Sequence, residues 1–205
     1  MSHFDQEENL RNIRNVNFDV DPIFIKRWSP RAYTGEKIPL EILQSIVEAG
    51  RLAPSCANSQ PWRVIYAERE SKEWQSLFNL LVPANQEWVK NCAYLLLIVS
   101  KKKDAKLREL NTNSFDTGAF WASMALEAAK RGLPMHAMAG FNQKMAAETF
   151  QLENDYHIEV MVAIGVPGKV ENLSEKNQAR ETPSKRLNLE EILIHVNRAR
   201  DSLAR

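Results

Sequence analysis

Three stretches of this chain carry residue types that could bind and orient a polar ligand. In RWSPRAY, Arg27 and Arg31 flank Ser29, and far downstream Lys185 and Arg186 precede the last helical stretch. An arginine fork grips a phosphate through two parallel charge-assisted hydrogen bonds, and a hydroxyl adds a third. The chemistry would be a phosphate clamp built from two remote loops. Spacing alone favours the plainer reading, solvated surface charge. The second stretch, PSCANSQPW, contains Pro54, Ser55, Cys56 and Asn58, small or amide-bearing residues stiffened by proline at both ends. It could offer backbone amides and the Asn58 carboxamide to the edge of a planar polar ring. A helix-to-strand connector with ordinary turn chemistry explains it slightly better when it is taken alone. The third is AMAGF, where Gly140 follows Met138 and Ala139 and permits close backbone approach. A plain strand end or turn is the simpler account of that segment.

Other chemistries lack their residues. His3, His136, His157 and His195 are scattered without metal-site spacing and suit surface or core duty. Two cysteines, Cys56 and Cys92, make neither a disulfide framework nor a four-thiolate site. The chain has no nucleophile-elbow serine, phosphate-loop lysine or dinucleotide glycine fingerprint. The run Lys101–Lys103, with Lys106 and Arg108, lacks interleaved aromatics and reads as a solvated turn. With 27 basic and 26 acidic residues, no global field points to nucleic acid or an anionic membrane.

The elements that must position these residues follow from periodicity. The length of 205 residues suits one domain, 1–205, with 1–21 as a polar, partly helical lead-in. Leu40, Leu43, Ile46 and Val47 fall on one helical face after Pro39, and Pro54 stops that helix near Leu52. A strand is expected over Arg63–Glu68, then helices around Ser71–Leu80 and Gln86–Asn91. Tyr94–Ser100 has no polar alternation, which predicts a central strand buried on both faces. Ser114–Gly132 is a long helix, apolar nearly all round and therefore buried in a core or at a subunit interface. A short helix over Asn142–Phe150, a strand over Ile158–Ile164, a polar loop over Glu171–Lys185 and a closing helix over Leu189–Arg200 complete the order. The polar start lacks the apolar core of a secretion signal, and the longest apolar run, Tyr94–Val99, is far below the ~18 residues of a membrane span. A cytoplasmic protein is expected.

In this order, RWSPRAY, AGRLAPSCANSQPW, DTGAFW, AGF, VAIGVPG and SKRLNLEEIL resemble the nitroreductase family of FMN flavoproteins, from about Ile23 to Val196. The loop AGRLAPSCANSQPW is the most specific part. The resemblance implies an α+β fold, a mixed sheet of four to five strands sandwiched by helices, in an obligate homodimer with FMN between the subunits. Arg27 and Ser29 match phosphate and ribityl contacts, Arg31 a basic position near the pyrimidine edge, and Arg186, with Lys185, a second phosphate position. Pro54, Ser55, Cys56 and Asn58 match a loop that reaches the flavin from the partner. The amides of Ala139 and Gly140, after Met138, would face the ring at N5 and O4, and Asn85 matches a further ring contact.

The activity implied is hydride transfer from NADH or NADPH through flavin N5 to a small electron-poor acceptor, nitroaromatic or quinone, in a ping-pong cycle without a protein acid or base. Trp28 stands where the family usually has arginine or histidine, and could pack on the cofactor or floor the pocket. Ala139 replaces an acidic residue of longer members, and Cys56 replaces a common serine, best read as a small buried filler. Specialised chemistry on the same fold, such as dehalogenation or flavin breakdown, is an alternative. So is a low-turnover FMN sensor, which Trp28 would favour by blocking the stacking face. Asp104–Ser114 is the expected acceptor lid.

Overall fold

The computed structural model describes residues 3–152 and 154–198. In chain order the elements are helices α1 (His3–Arg14), α2 (Pro22–Lys26) and α3 (Leu40–Arg51), strand β1 (Trp62–Glu68), helices α4 (Trp74–Phe78) and α5 (Pro83–Val89), strand β2 (Tyr94–Lys101), helix α6 (Asn113–Lys130), strand β3 (Met135–Met138), helix α7 (Gln143–Thr149), strand β4 (Tyr156–Ile164), and short helices α8 (Glu175–Gln178) and α9 (Leu189–Ile192). Contacts divide the described residues into two units. Residues 3–26 and 183–198 form a terminal unit, and Arg27–Thr182 a larger one.

The larger unit is built on a four-stranded sheet in the order β1-β2-β4-β3. The uninterrupted apolar run of β2 puts it in the interior, paired on one side with β1 and on the other with β4. Alternate residues of β2 then face opposite layers. Leu95, Leu97 and Val99 join Leu77 of α4, Trp88 and Val89 of α5 and Ala146 of α7. Tyr94, Leu96 and Ile98 join Leu43 and Ile46 of α3 and Phe120, Met124 and Ala128 of α6. Each fully buried leucine here contributes about 1.5–3 kcal/mol relative to exposure. α3 and α6 lie close because Gly50 has no Cβ, which would sit 2.7 Å from both Phe120 and Met124.

Some expectations need correction. The implied mixed sheet is not seen: all three ladders among the described residues are antiparallel. Four strands do form, but β3 is one that periodicity did not predict. Its MHAM is too short, and too poor in β-branched residues, to signal a strand. The closing helix stops at Ile192, where Leu193 turns extended (φ −91°, ψ 95°), and a 3-10 turn follows at Val196–Arg198; residues 199–200 lie outside the described residues. Ile192, Leu193 and Val196 are largely exposed in the chain, so no packed face sustains a longer helix. The polar stretch after Glu171 contains α8.

Candidate cofactor site

The segment Arg27–Thr34 has no regular structure and is positioned by long-range clamps. Glu181 is the strongest. Its Oε1 accepts from Arg31 N at 2.7 Å and from Ala32 N at 2.8 Å, and its Oε2 accepts from Arg31 N at 3.0 Å. The Arg31 guanidinium lies 3.8 Å from Glu181 Oε2 and donates to Arg180 O at 3.2 Å. Burial and then Arg180 lower the Arg31 pKa, while Glu181 opposes them. The side chain of Arg31 lines a polar cleft of about 260 Å³ with Glu87, Trp88, Lys90 and Asn177.

The GVPG turn after β4 is the second clamp. Thr34 N donates to Val166 O at 3.0 Å, and Gly168 N donates to Ala32 O at 2.8 Å. A Cβ on Gly165 would come within 2.7 Å of the Tyr33 ring, and one on Gly168 within 2.7 Å of the Tyr33 carbonyl carbon. Both glycines let the turn close on the arginine segment. His136 is a third contact, with Nδ1 2.9 Å from Pro30 O. Burial pushes its pKa down to about 4, so the imidazole is neutral near pH 7. Arg27, Trp28 and Ser29 are half-buried.

The end of β3 is the second part. Met138 is buried, and Ala139 and Gly140 follow it out of the sheet. Among the described residues their two amides donate no hydrogen bond. The Gly140 carbonyl accepts from Asn85 Nδ2 at 3.0 Å and from Val82 N at 3.1 Å. A Cβ at Gly140 would fall 2.7 Å from that Asn85 nitrogen. One turn beyond Asn85, Trp88 packs on His136 with ring centroids 4.7 Å apart. The structure therefore ties Asn85 to Gly140 directly and reaches the segment 27–31 through His136, two residues before Met138.

It keeps the loop of Pro54, Ser55, Cys56 and Asn58 apart from them. That loop leads into β1 at one edge of the sheet, while Gly140 follows β3 at the other. The edges are three strand spacings, or about 14 Å, apart. Ala57 (φ 50°), Asn58 (φ 55°) and Gln60 (φ 45°) all hold left-handed backbone, which costs on the order of 1–3 kcal/mol for a non-glycine residue. The loop is braced to keep it. Ser55 Oγ accepts from Gln60 N at 3.0 Å, and the buried Asp116 of α6 accepts from Cys56 N and from Thr112 Oγ1, both at 3.1 Å. Cys56 is exposed in the single chain.

Lys185 and Arg186 lie in the terminal unit, exposed, with Arg186 Nη1 donating to the carbonyls of Ser184 and Lys185 at 3.0 Å. Glu181, His136, Trp88 and Asp116 are the positioning residues that sequence reasoning passed over. Only Asp116 stood in a singled-out motif, DTGAFW. Among the described residues, no group of three or more His, Cys, Asp or Glu side chains could hold a metal ion. No helix there is long and apolar enough to cross a membrane.

The model of the nitroreductase family matches residues 25–81 and 68–166. No curated protein matches the chain. Among solved structures, an oxidoreductase containing FMN is 36% identical, with a TM-score of 0.86 over 89% of this chain and 94% of that one. A putative nitroreductase from Exiguobacterium sibiricum in complex with FMN is 22% identical, with a TM-score of 0.70 over 87% of this chain and 99% of that one. A putative nitroreductase in complex with FMN from Desulfovibrio desulfuricans is 23% identical, with a TM-score of 0.68 over 86% and 98%. The second and third share the fold. The family match spans well over half the chain and the first relative exceeds a third identity, so the chain belongs to the nitroreductase family.

Proposed function

We propose that this chain is an FMN-dependent oxidoreductase that takes hydride from NADH or NADPH and passes it to a small electron-poor acceptor of the nitroaromatic or quinone type. The observation that carries the proposal is the pair of unpartnered amides at Ala139 and Gly140, set beside Asn85 and tied to the segment 27–31. The FMN-containing relative at 36% identity supports the cofactor.

The residues present fit FMN. Arg27 and Ser29 would hold the phosphate and ribityl chain. The Ala139 and Gly140 amides would face the ring's polar edge, with Asn85 beside them. When bound, the flavin supplies a ring that accepts hydride from the nicotinamide and yields it to the acceptor. The protein's part is orientation and field. Two fixed N–H dipoles at the ring edge would favour negative charge there without having to reorganise. Arg31 adds positive charge, reduced by Glu181 at 3.8 Å. The neutral His136 moves no proton in this scheme.

A homodimer belongs to the same reading. The loop of Pro54, Ser55, Cys56 and Asn58 stands at the wrong edge of the sheet to meet Gly140 of its own chain, so a second copy would deliver it. Helix α6 offers a surface for that copy. Phe115 is 82% exposed, Ala122 is exposed, and a Cβ at Gly118 would meet only open space. A bare apolar face of this kind suits a subunit contact.

The test is steady-state nicotinamide oxidation with a quinone acceptor varied at several nicotinamide concentrations. Parallel double-reciprocal lines are expected for two half-reactions sharing one pocket. Intersecting lines would exclude the ping-pong cycle, and an absence of turnover would exclude the oxidoreductase.

A further inference from the structure

We infer that His136 is a positioning residue for the cofactor, joining the segment that ends at Pro30 to the strand end at Gly140 and to the helix that carries Asn85. Resting on the FMN reading, this adds the group that sets the spacing between phosphate-side and ring-side contacts. His136 sits on β3, opposite Ala163 of β4 and three residues before Ala139. Its Nδ1 lies 2.9 Å from the carbonyl of the buried Pro30. Its ring packs on Trp88, with centroids 4.7 Å apart and planes 38° from parallel. Trp88 is 4% exposed and lies one helical turn beyond Asn85. One side chain thus joins three segments whose contacting residues, Pro30, Trp88 and His136, are 48 or more positions apart in sequence.

The other clamps act further along. Glu181 and the GVPG turn grip Arg31, Ala32 and Thr34. His136 grips Pro30, next to Ser29 and nearer to Arg27 than any residue those clamps hold. A carbonyl oxygen only accepts, so the imidazole must donate from Nδ1, which leaves Nε2 without a proton in the neutral ring. A ring without that donor leaves the buried Pro30 oxygen unpaired and frees residues 27–29 to shift against 139–140. A ligand that spans both groups feels that shift, whereas the sheet and the two hydrophobic layers do not.

Two substitutions separate the contacts. His136→Phe keeps a flat ring against Trp88 and loses the donor; His136→Asn keeps an N–H near the Nδ1 position and loses the ring. FMN affinity, the visible spectrum of bound flavin and the melting temperature of the apoprotein are measured for each. For one lost hydrogen bond with its orphaned partner, His136→Phe is expected to weaken FMN about ten-fold and shift the flavin band, with His136→Asn within about three-fold of wild type. A His136→Phe protein with wild-type FMN affinity and spectrum, even at a lower melting temperature, overturns the inference alone. Failure of the wild type to take up FMN overturns the FMN reading and this inference with it. Should neither variant fold, nitrogen-15 NMR of the wild-type histidines decides. An Nδ1–H tautomer whose signal moves on FMN addition is expected, and an Nε2–H tautomer or a signal indifferent to FMN overturns it.

Discussion

Substituting Gly140 by alanine separates cofactor binding from folding, and the structure gives the size of both effects. The new Cβ would stand 2.7 Å from Asn85 Nδ2 and 3.1 Å from Val82 Cγ2, against ordinary contact from 3.4 Å. The Asn85 amide is the far end of a flexible side chain and must retreat by roughly 0.7 Å, the difference of those two distances. Its hydrogen bond to the Gly140 carbonyl, 3.0 Å long, then breaks, at a cost of about 1 kcal/mol. Gly140 is not among the positive-φ glycines, so alanine suits the backbone. The smaller entropy of the unfolded chain returns about 0.4–1 kcal/mol. Stability should therefore change by no more than about 1 kcal/mol. FMN should suffer more, because Asn85 is displaced and the methyl group crowds the adjacent amides. Two polar contacts at about 1 kcal/mol each correspond to about 30-fold in affinity. The assay pairs denaturant unfolding of the apoprotein with titration of FMN. An affinity within about three-fold of wild type, at unchanged stability, would refute the placing of the ring edge at Gly140.

Three further outcomes follow from the same geometry. Glu181→Ala leaves the amides of Arg31 and Ala32 without their acceptor and is expected to cost about 3 kcal/mol, while Glu181→Gln retains an oxygen and costs less than half of that in denaturant titration. His136, with its pKa at about 4 in the fold, is protonated first in the unfolded chain as pH falls below about 6.5. Its contribution is thus full above pH 6.5 and declines towards pH 4, by at most about 3 kcal/mol; a pH series of unfolding free energies should show that slope in the wild type and not in His136→Phe. Phe115→Lys would be neutral within about 0.5 kcal/mol on a surface that stays exposed, but should weaken the dimer and its FMN binding together if a second copy covers α6. Sedimentation of the variant decides between these.

Much of the fold was legible in the sequence because it rests on local pattern. The unbroken apolar run of β2 marked its own central place, and the face of Leu43 and Ile46 marked α3. The sense of strand pairing was not legible, since it depends on how helices return the chain to the sheet rather than on the strands themselves. β3 left no signal because its four residues draw their order from pairing with β4. The cofactor-contact candidates stood in recognisable motifs, yet what holds them did not. Glu181 is 150 residues from Arg31, in a polar stretch with no distinguishing neighbours. The left-handed backbone at Ala57 and Gln60 is likewise invisible in residue type, because it is imposed by Asp116 and Ser55 rather than chosen by glycine.

The most direct test of the central claim is the visible spectrum of the purified protein supplied with FMN, recorded without oxygen before and after NADH or NADPH. Bound flavin bands near roughly 370 and 450 nm that bleach on nicotinamide are predicted. Bands that persist under both nicotinamides would contradict the hydride-transfer role and leave FMN binding without turnover. A protein that neither carries nor takes up FMN would contradict the assignment of the amides at Ala139 and Gly140 to a flavin.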